Sequence, residues 1–81
     1  MENKPKVVMM GLGYIGLPTA ALIASRGLNV IGVDIREEVV ETINKGKIHI
    51  VEPDLDGLVH HVVKEGYLKA SISPEEADVY L

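Results

Sequence analysis

The spacing of apolar and polar residues along the chain predicts strands that alternate with helices. Short apolar stretches are expected to form strands at Lys6–Met10, Asn29–Val33 and Leu68–Ile72, and a fourth strand starts within Asp78–Leu81. Continuous apolar stretches of this length are typical of parallel strands that are buried on both faces. Apolar residues at helical spacing predict helices at about Tyr14–Arg26, Arg36–Lys45 and Asp54–Glu65.

Residues typical of helix ends flank these segments. Pro18 is tolerated only near a helix N-terminus, so the first regular helix should begin a residue or two after Gly13. Asp54 is expected to supply an acidic N-terminus for the third helix. Ser73, with Pro74 and Glu76 behind it, has the pattern of a further helix start.

A glycine motif joins the first strand to the first helix. The sequence Gly11-Leu12-Gly13-Tyr14-Ile15-Gly16 is G-x-G-x-x-G, and Asp34 follows about 20 residues later at the end of the second strand. In this context Gly11 permits the tight turn, Gly13 admits a pyrophosphate, and Gly16 allows close packing of the helix on the strand. Amides near Tyr14 and Ile15 would face the anion, and Asp34 would accept hydrogen bonds from a ribose.

The acid at position 34 favours NAD over NADP, because a carboxylate repels a 2′-phosphate. Arg36 leaves NADP open, because an arginine there could accommodate that phosphate. The competing interpretation is that the glycines serve only the turn and its packing, with Asp34 as a helix cap.

The order of elements predicts an α/β fold, a Rossmann-like parallel sheet with helices on both faces, truncated after the start of strand four. Residues 1–81 would form the N-terminal part of a dinucleotide-binding domain, with the substrate and catalytic domains absent. The strand that carries Val7 and Val8 should pair with the one that starts at Asp78. With half the sheet missing, we expect marginal stability and exposed apolar surface.

Composition and charge narrow the alternatives. The chain has no cysteine, which excludes disulfides, thiolate metal sites and a cysteine nucleophile within it and fits a cytoplasmic location. A net charge of −4, with scattered basic residues and no Phe or Trp, argues against a nucleic-acid partner.

The uncharged stretch Val7–Ser25 could be a signal peptide or membrane anchor, but its three glycines and Pro18 favour the strand, turn and helix.

The two adjacent histidines predict no metal site. His60 and His61 are neighbours on a helix, so they point about 100° apart and are expected on a solvated surface. His49 stands in a loop near Glu52, where a loop contact is favoured and a metal or acid–base role stays open. No catalytic residue is predicted in the chain.

The segments "GLGYIGLPTAALIASRG", "VIGVDI" and "INKGKIHIVEPDL" together resemble the N-terminus of the UDP-glucose/GDP-mannose dehydrogenases, over essentially the whole chain. "KIHIVEPDL" is most similar to the branch that acts on UDP-N-acetyl-D-mannosamine. The resemblance implies oxidation of a C6 hydroxyl to a carboxylate with reduction of two NAD, carried out by residues further along a longer, homo-oligomeric protein. The 81 residues alone are then not expected to be active.

The resemblance also bears on the site residues. It implies that Tyr14 and Ile15 line the pyrophosphate and that Asp34 holds the ribose. Some relatives have an arginine five residues after that aspartate, where this chain has Val39, and Arg36 is the candidate replacement. Two alternatives stay open: a non-catalytic module that senses NAD or another nucleotide, and a dehydrogenase of another type.

Overall fold

The structure is a computed structural model that describes residues 5–81. The described chain forms β1 (Lys6–Met10), α1 (Gly16–Ser25), β2 (Asn29–Val33), α2 (Glu37–Asn44), α3 (Leu55–Lys64), β3 (Leu68–Ser71) and β4 (Val79–Tyr80). These elements agree with the predicted strands and helices to within about two residues. Helix α1 starts at Gly16, so Pro18 falls in its first turn, where the missing N–H breaks no helical hydrogen bond.

The strands form one parallel sheet in the order β3-β2-β1-β4. Val7 of β1 is in register with Val30 of β2 on one side and with Val79 of β4 on the other. The predicted Rossmann-like parallel sheet and the predicted pairing of β1 with the strand after Asp78 are therefore confirmed.

The two faces of the sheet are covered differently. Alternate strand residues, including Val7, Met9 and Val30, share the larger core with buried side chains from all three described helices. The opposite face carries a smaller cluster of Val8, Ile31 and Val33, against which Ala77 packs. Where helices were expected on both faces, the described residues place them on one face and an irregular connection on the other.

The strand order explains this difference. The chain steps from β1 to β2 to β3 in one direction and then returns across the sheet to β4. Because crossovers between parallel strands are right-handed, this reversal puts residues 72–78 on the face opposite the helices.

The predicted helix start at Ser73 is wrong, because residues 73–77 form no helix. Residues 72–78 must cross roughly 14 Å, three strand spacings of ~4.8 Å. A helix of this length would span only ~10 Å. The connection is instead extended and tied down, with the Lys6 ammonium 2.9 Å from the Glu75 carboxylate.

Asp54 lies at the N-terminus of α3, as predicted, but its side chain does not cap the helix. Asp54 occupies the N-cap position of α3, but its backbone is left-handed (φ 66°) and its side chain makes no capping hydrogen bond. An N-cap side chain reaches the first amides of a helix from an extended backbone, which this residue does not have. Among residues 5–81, no helix has the length and apolar character needed to span a membrane.

Candidate dinucleotide-binding site

The glycine turn is built on an unusual backbone angle at its first residue. Gly11 has a φ of +93°, which side-chain-bearing residues rarely adopt. Its amide donates a 2.7 Å hydrogen bond to the carbonyl of Val33. The turn therefore leaves β1 at the carboxyl end of the sheet and is tied to the end of β2, directly before Asp34.

The other two glycines of the motif have different surroundings. A Cβ on Gly16 would lie 1.9 Å from the carbonyl oxygen of Gly11, so any larger residue would push the turn and the helix apart. A Cβ on Gly13 would meet nothing within 4 Å, so the space over this residue is open to a ligand. The close approach expected of Gly16 thus involves the carbonyl of Gly11, in the turn itself.

Free amides line the start of helix α1. Within residues 5–81, the amides of Gly13, Tyr14 and Ile15 make no hydrogen bond, while the Gly13 carbonyl accepts one from Leu17 at 3.0 Å. Tyr14 and Ile15 are 67% and 84% exposed. The helix end therefore presents N–H groups and the positive end of its dipole to solvent, an arrangement that favours an anion.

Asp34 is the one buried charged residue of the described chain, with 7% of its surface exposed. Its Oδ2 accepts a 3.0 Å hydrogen bond from the amide of Leu12, inside the glycine turn. Its Oδ1 accepts a 3.0 Å hydrogen bond from the amide of Arg36. The carboxylate thus lies beside the turn, as the motif predicts, and two backbone amides fix its position.

The side chain of Arg36 clamps the same carboxylate. Its Nε donates to Asp34 Oδ1 and its Nη2 to Asp34 Oδ2, both at 2.9 Å. The Arg36 side chain is half exposed, whereas that of Asp34 is buried. The hydrogen bonds from this guanidinium hold the pKa of Asp34 well below its usual range, burial opposes them, and the two amides add to the lowering. Asp34 is therefore ionised at neutral pH.

Leu12 and Gly32 also shape the site, and sequence reasoning did not single them out. Leu12 is fully buried, and a Cβ on Gly32 would lie 2.6 Å from its Cδ2. Gly32 of β2 therefore makes room for the side chain that anchors the turn under the sheet. A glycine among the β-branched residues Val30, Ile31 and Val33 was the available signal, since a glycine within a strand often marks a close approach.

The remaining candidates lie elsewhere. His60 and His61 are exposed on α3, as predicted. Both ring nitrogens of His49 are buried without a hydrogen-bond partner in the described chain, so the expected polar loop contact through its ring is not seen. Over residues 5–81, no group of three or more His, Asp or Glu side chains is arranged to hold a metal ion.

All seven predicted site residues lie at one edge of the sheet. Six belong to the glycine turn or the end of β2, and the seventh, Arg36, is joined to them by its ion pair with Asp34. Open space over Gly13, free amides at the helix start and a buried carboxylate beside the turn fit a ligand with a phosphate and a sugar diol.

Comparison with known proteins decides the family. Residues 5–81 match the model of the UDP-glucose/GDP-mannose dehydrogenase family, NAD binding domain. The chain belongs to this family. It is 67% identical, over all of its length, to the UDP-N-acetyl-D-mannosamine dehydrogenase of Campylobacter jejuni, of which it covers 20%. It is 60% identical over 93% of its length to an NDP-N-acetyl-D-galactosaminuronic acid dehydrogenase of Ralstonia nicotianae, covering 18% of that protein.

A solved structure supports the same assignment. The native UDP-N-acetyl-mannosamine dehydrogenase of Staphylococcus aureus superposes with a TM-score of 0.90 at 43% identity, over 93% of this chain and 18% of the other. The cofactor of this family domain is NAD, as Asp34 predicted. The chain spans about a fifth of the length of these relatives.

Proposed function

We propose that this chain is the cofactor-binding part of a nucleotide-sugar 6-dehydrogenase that oxidises the C6 hydroxyl of UDP-N-acetyl-D-mannosamine to the uronic acid with two NAD. The substrate is taken from the relative in Campylobacter jejuni, which is 67% identical over the whole chain. The similarity to an N-acetyl-D-galactosaminuronic acid dehydrogenase supports the class of N-acetylated nucleotide sugars.

The observation that carries the proposal is the hydrogen bond from the Leu12 amide to Asp34, which joins the glycine turn to the acid of the motif. We assign cofactor binding to Gly11, Gly13, Tyr14, Ile15, Gly16 and Asp34. Arg36 belongs to the same site through its ion pair with Asp34. The free amides of residues 13–15 would bind the pyrophosphate, and Asp34 would bind the adenosine ribose. Bound NAD would accept hydride from the sugar carbon.

The role of this chain is to bind and orient the cofactor. A carboxylate whose pKa is lowered stays ionised and accepts hydrogen bonds from hydroxyls across the physiological pH range. The same charge repels a 2′-phosphate, which selects NAD. The residues that carry out the oxidation are assigned to further domains of a longer protein, so these 81 residues alone should not turn over substrate. Homo-oligomerisation and a cytoplasmic location stay predictions.

NMR titration of the isotope-labelled chain with NAD tests the cofactor assignment. The amides of Gly11 to Ile15 should shift, and Asp34→Ala should weaken the response at least about tenfold, since it removes a charged hydrogen-bond acceptor. Asp56→Ala is the matched control, because Asp56 is an exposed acid on α3. Unmoved glycine-turn amides in a folded chain would contradict the assignment.

The substrate assignment is tested on the full-length protein that contains this chain. UDP-N-acetyl-D-mannosamine should yield two NADH per sugar oxidised, and UDP-glucose is the comparison substrate. Equal turnover of both sugars, or of neither, would contradict the assignment. A non-catalytic nucleotide sensor would bind NAD and leave both sugars unchanged.

A further inference from the structure

We propose that Arg36 competes with the cofactor for Asp34, so that the ribose hydroxyls bind only after the guanidinium leaves the carboxylate. Arg36 then sets the affinity of the site by occupying it in the free chain. This inference rests on the proposed function, which assigns the adenosine ribose to Asp34.

The Asp34 carboxylate has a limited number of positions at which it can accept hydrogen bonds. The two oxygens of a carboxylate offer about four lone-pair positions. In the free chain Oδ1 accepts from the amide of Arg36 at 3.0 Å and from its Nε at 2.9 Å. Oδ2 accepts from the amide of Leu12 at 3.0 Å and from Arg36 Nη2 at 2.9 Å. The Asp34 carboxylate therefore has no lone pair left for a ribose hydroxyl.

The donors to Asp34 differ in how easily they can leave the carboxylate. The amide of Leu12 belongs to the glycine turn, and the amide of Arg36 lies at the N-cap of α2, so both are fixed by the backbone. The guanidinium is on a flexible, half-exposed side chain. Its Nε and Nη2 present two donors side by side, and a vicinal diol does the same. The guanidinium occupies the two positions that the diol needs.

The guanidinium can be displaced without leaving Asp34 unpaired. The Arg36 side chain is half exposed, so water can solvate the guanidinium when it leaves the carboxylate. Asp34 keeps its two backbone donors after Arg36 leaves, so the buried carboxylate is not stranded. The apparent affinity for NAD then equals the intrinsic affinity multiplied by the fraction of molecules in which Arg36 has left Asp34.

The direction in which NAD affinity changes on removal of Arg36 distinguishes this competition from a direct contact between Arg36 and NAD. NAD carries a negatively charged pyrophosphate, so removal of a nearby cation should weaken binding on electrostatic grounds. If Arg36 contacted the adenine of NAD, its removal should weaken NAD binding as well. If Arg36 instead blocks Asp34, its removal strengthens binding.

The experiment is to measure the Kd of NAD for the wild-type chain, Arg36→Ala and Arg26→Ala. Arg26 is an exposed arginine at the opposite end of α1, so its variant removes the same charge away from the site. We expect Arg36→Ala to bind NAD about 3- to 10-fold more tightly. Arg26→Ala should stay within about twofold of wild type, because salt screens a distant charge.

A second measurement uses the wild-type chain alone and does not depend on how the variant folds. The Nε–H resonance of Arg36 should be protected from solvent exchange in the free chain, because it donates to Asp34. On addition of NAD it should shift and exchange as rapidly as that of Arg26.

The outcomes separate the two proposals. Equal or weaker binding by Arg36→Ala, or an Arg36 Nε–H that stays protected while the glycine-turn amides shift, overturns the competition and leaves the cofactor assignment intact. If neither chain binds NAD, the cofactor assignment fails and the competition fails with it.

Discussion

At the scale of single residues, Asp34 is the position where burial and charge are most tightly coupled. Four donors surround a carboxylate that is almost fully buried. A buried charge without such partners would be strongly destabilising. These hydrogen bonds therefore hold the end of β2 against the glycine turn.

Replacing this carboxylate should reveal its contribution through pH. Asp34→Asn keeps the shape of the side chain but turns an NH₂ toward the donors of Leu12 and Arg36, so we expect a loss of about 1–3 kcal/mol in unfolding free energy at pH 7. Because the folded-state pKa is lowered, the wild-type advantage is fully present above the unfolded pKa of about 4. It decreases as the pH falls below that value.

Urea unfolding of both chains from pH 7 to pH 2.5 checks this expectation. The difference between wild type and Asp34→Asn should be constant near neutrality and shrink in acid. A difference that is independent of pH would show that the ionised carboxylate does not contribute.

Asp54 is the second residue with an unusual local environment. Its left-handed backbone is disfavoured for a residue with a Cβ, and its side chain gains no capping hydrogen bond in return. Asp54→Gly should therefore raise the unfolding free energy by about 0.5–1 kcal/mol. Asp56→Gly, two residues later inside α3, should lower it by a similar amount. Thermal unfolding of the two variants should show shifts of opposite sign.

At the scale of elements, the packing of β2 under the glycine turn depends on a missing side chain. Gly32 faces Leu12, which is fully buried and has little room to move. Leu12 can therefore pack on the helix-covered face of the sheet only because Gly32 has no Cβ.

Two glycine-to-alanine changes should give opposite results. Gly32→Ala would place a methyl group 2.6 Å from Leu12 Cδ2, and we expect a loss of about 1–3 kcal/mol from overpacking. Gly57→Ala lies on the exposed side of α3 with nothing within 4 Å, and we expect a gain of up to about 1 kcal/mol from helix propensity. Chemical denaturation measures both, and a neutral Gly32→Ala would contradict the packing argument.

At the scale of the whole molecule, the connection from β3 to β4 closes the face that has no helix. The hydroxyl of Tyr80 accepts a hydrogen bond from the Ala77 amide at 3.0 Å and donates one to the Glu75 carbonyl at 2.8 Å. Tyr80 belongs to β4, so it links the connection to the edge of the sheet. The smaller core of Val8, Ile31 and Val33 lies on the face that this connection crosses.

Removing the Tyr80 hydroxyl should loosen that cover. We expect Tyr80→Phe to lower the unfolding free energy by about 0.5–1.5 kcal/mol and to speed hydrogen exchange at the Ala77 amide. Tyr67→Phe is the matched control, since the Tyr67 hydroxyl makes no hydrogen bond in the described chain. Similar effects in the two variants would contradict a specific role for the Tyr80 hydroxyl.

Exposed apolar side chains gather where the sheet has a free edge. Val79, Tyr80 and Leu81, at the end of the chain, are 40%, 54% and 51% exposed. This agrees with the expected apolar surface. In the described residues, β4 pairs only with β1, so its outer side offers unpaired backbone groups as well.

The sequence alone determined the strands, the helices and the glycine motif, because these depend on local spacing. Apolar stretches bounded by Gly27, Gly46 and Gly66 predict the ends of the elements to within two residues. The G-x-G-x-x-G spacing with Asp34 indicates NAD from the sequence alone. Such patterns are visible in one dimension because each residue's role depends on its neighbours in the chain.

The tertiary structure alone decided how distant segments share space. It replaced the helix expected at Ser73 with an extended crossing, because the strand order requires a wide span from few residues. It packed the Leu12 side chain against Gly32. It also placed donors from Leu12 and Arg36 at every acceptor position of Asp34. The crossing and the hydrogen bond from Leu12 to Asp34 join residues 69 and 22 positions apart, and no local pattern encodes such contacts.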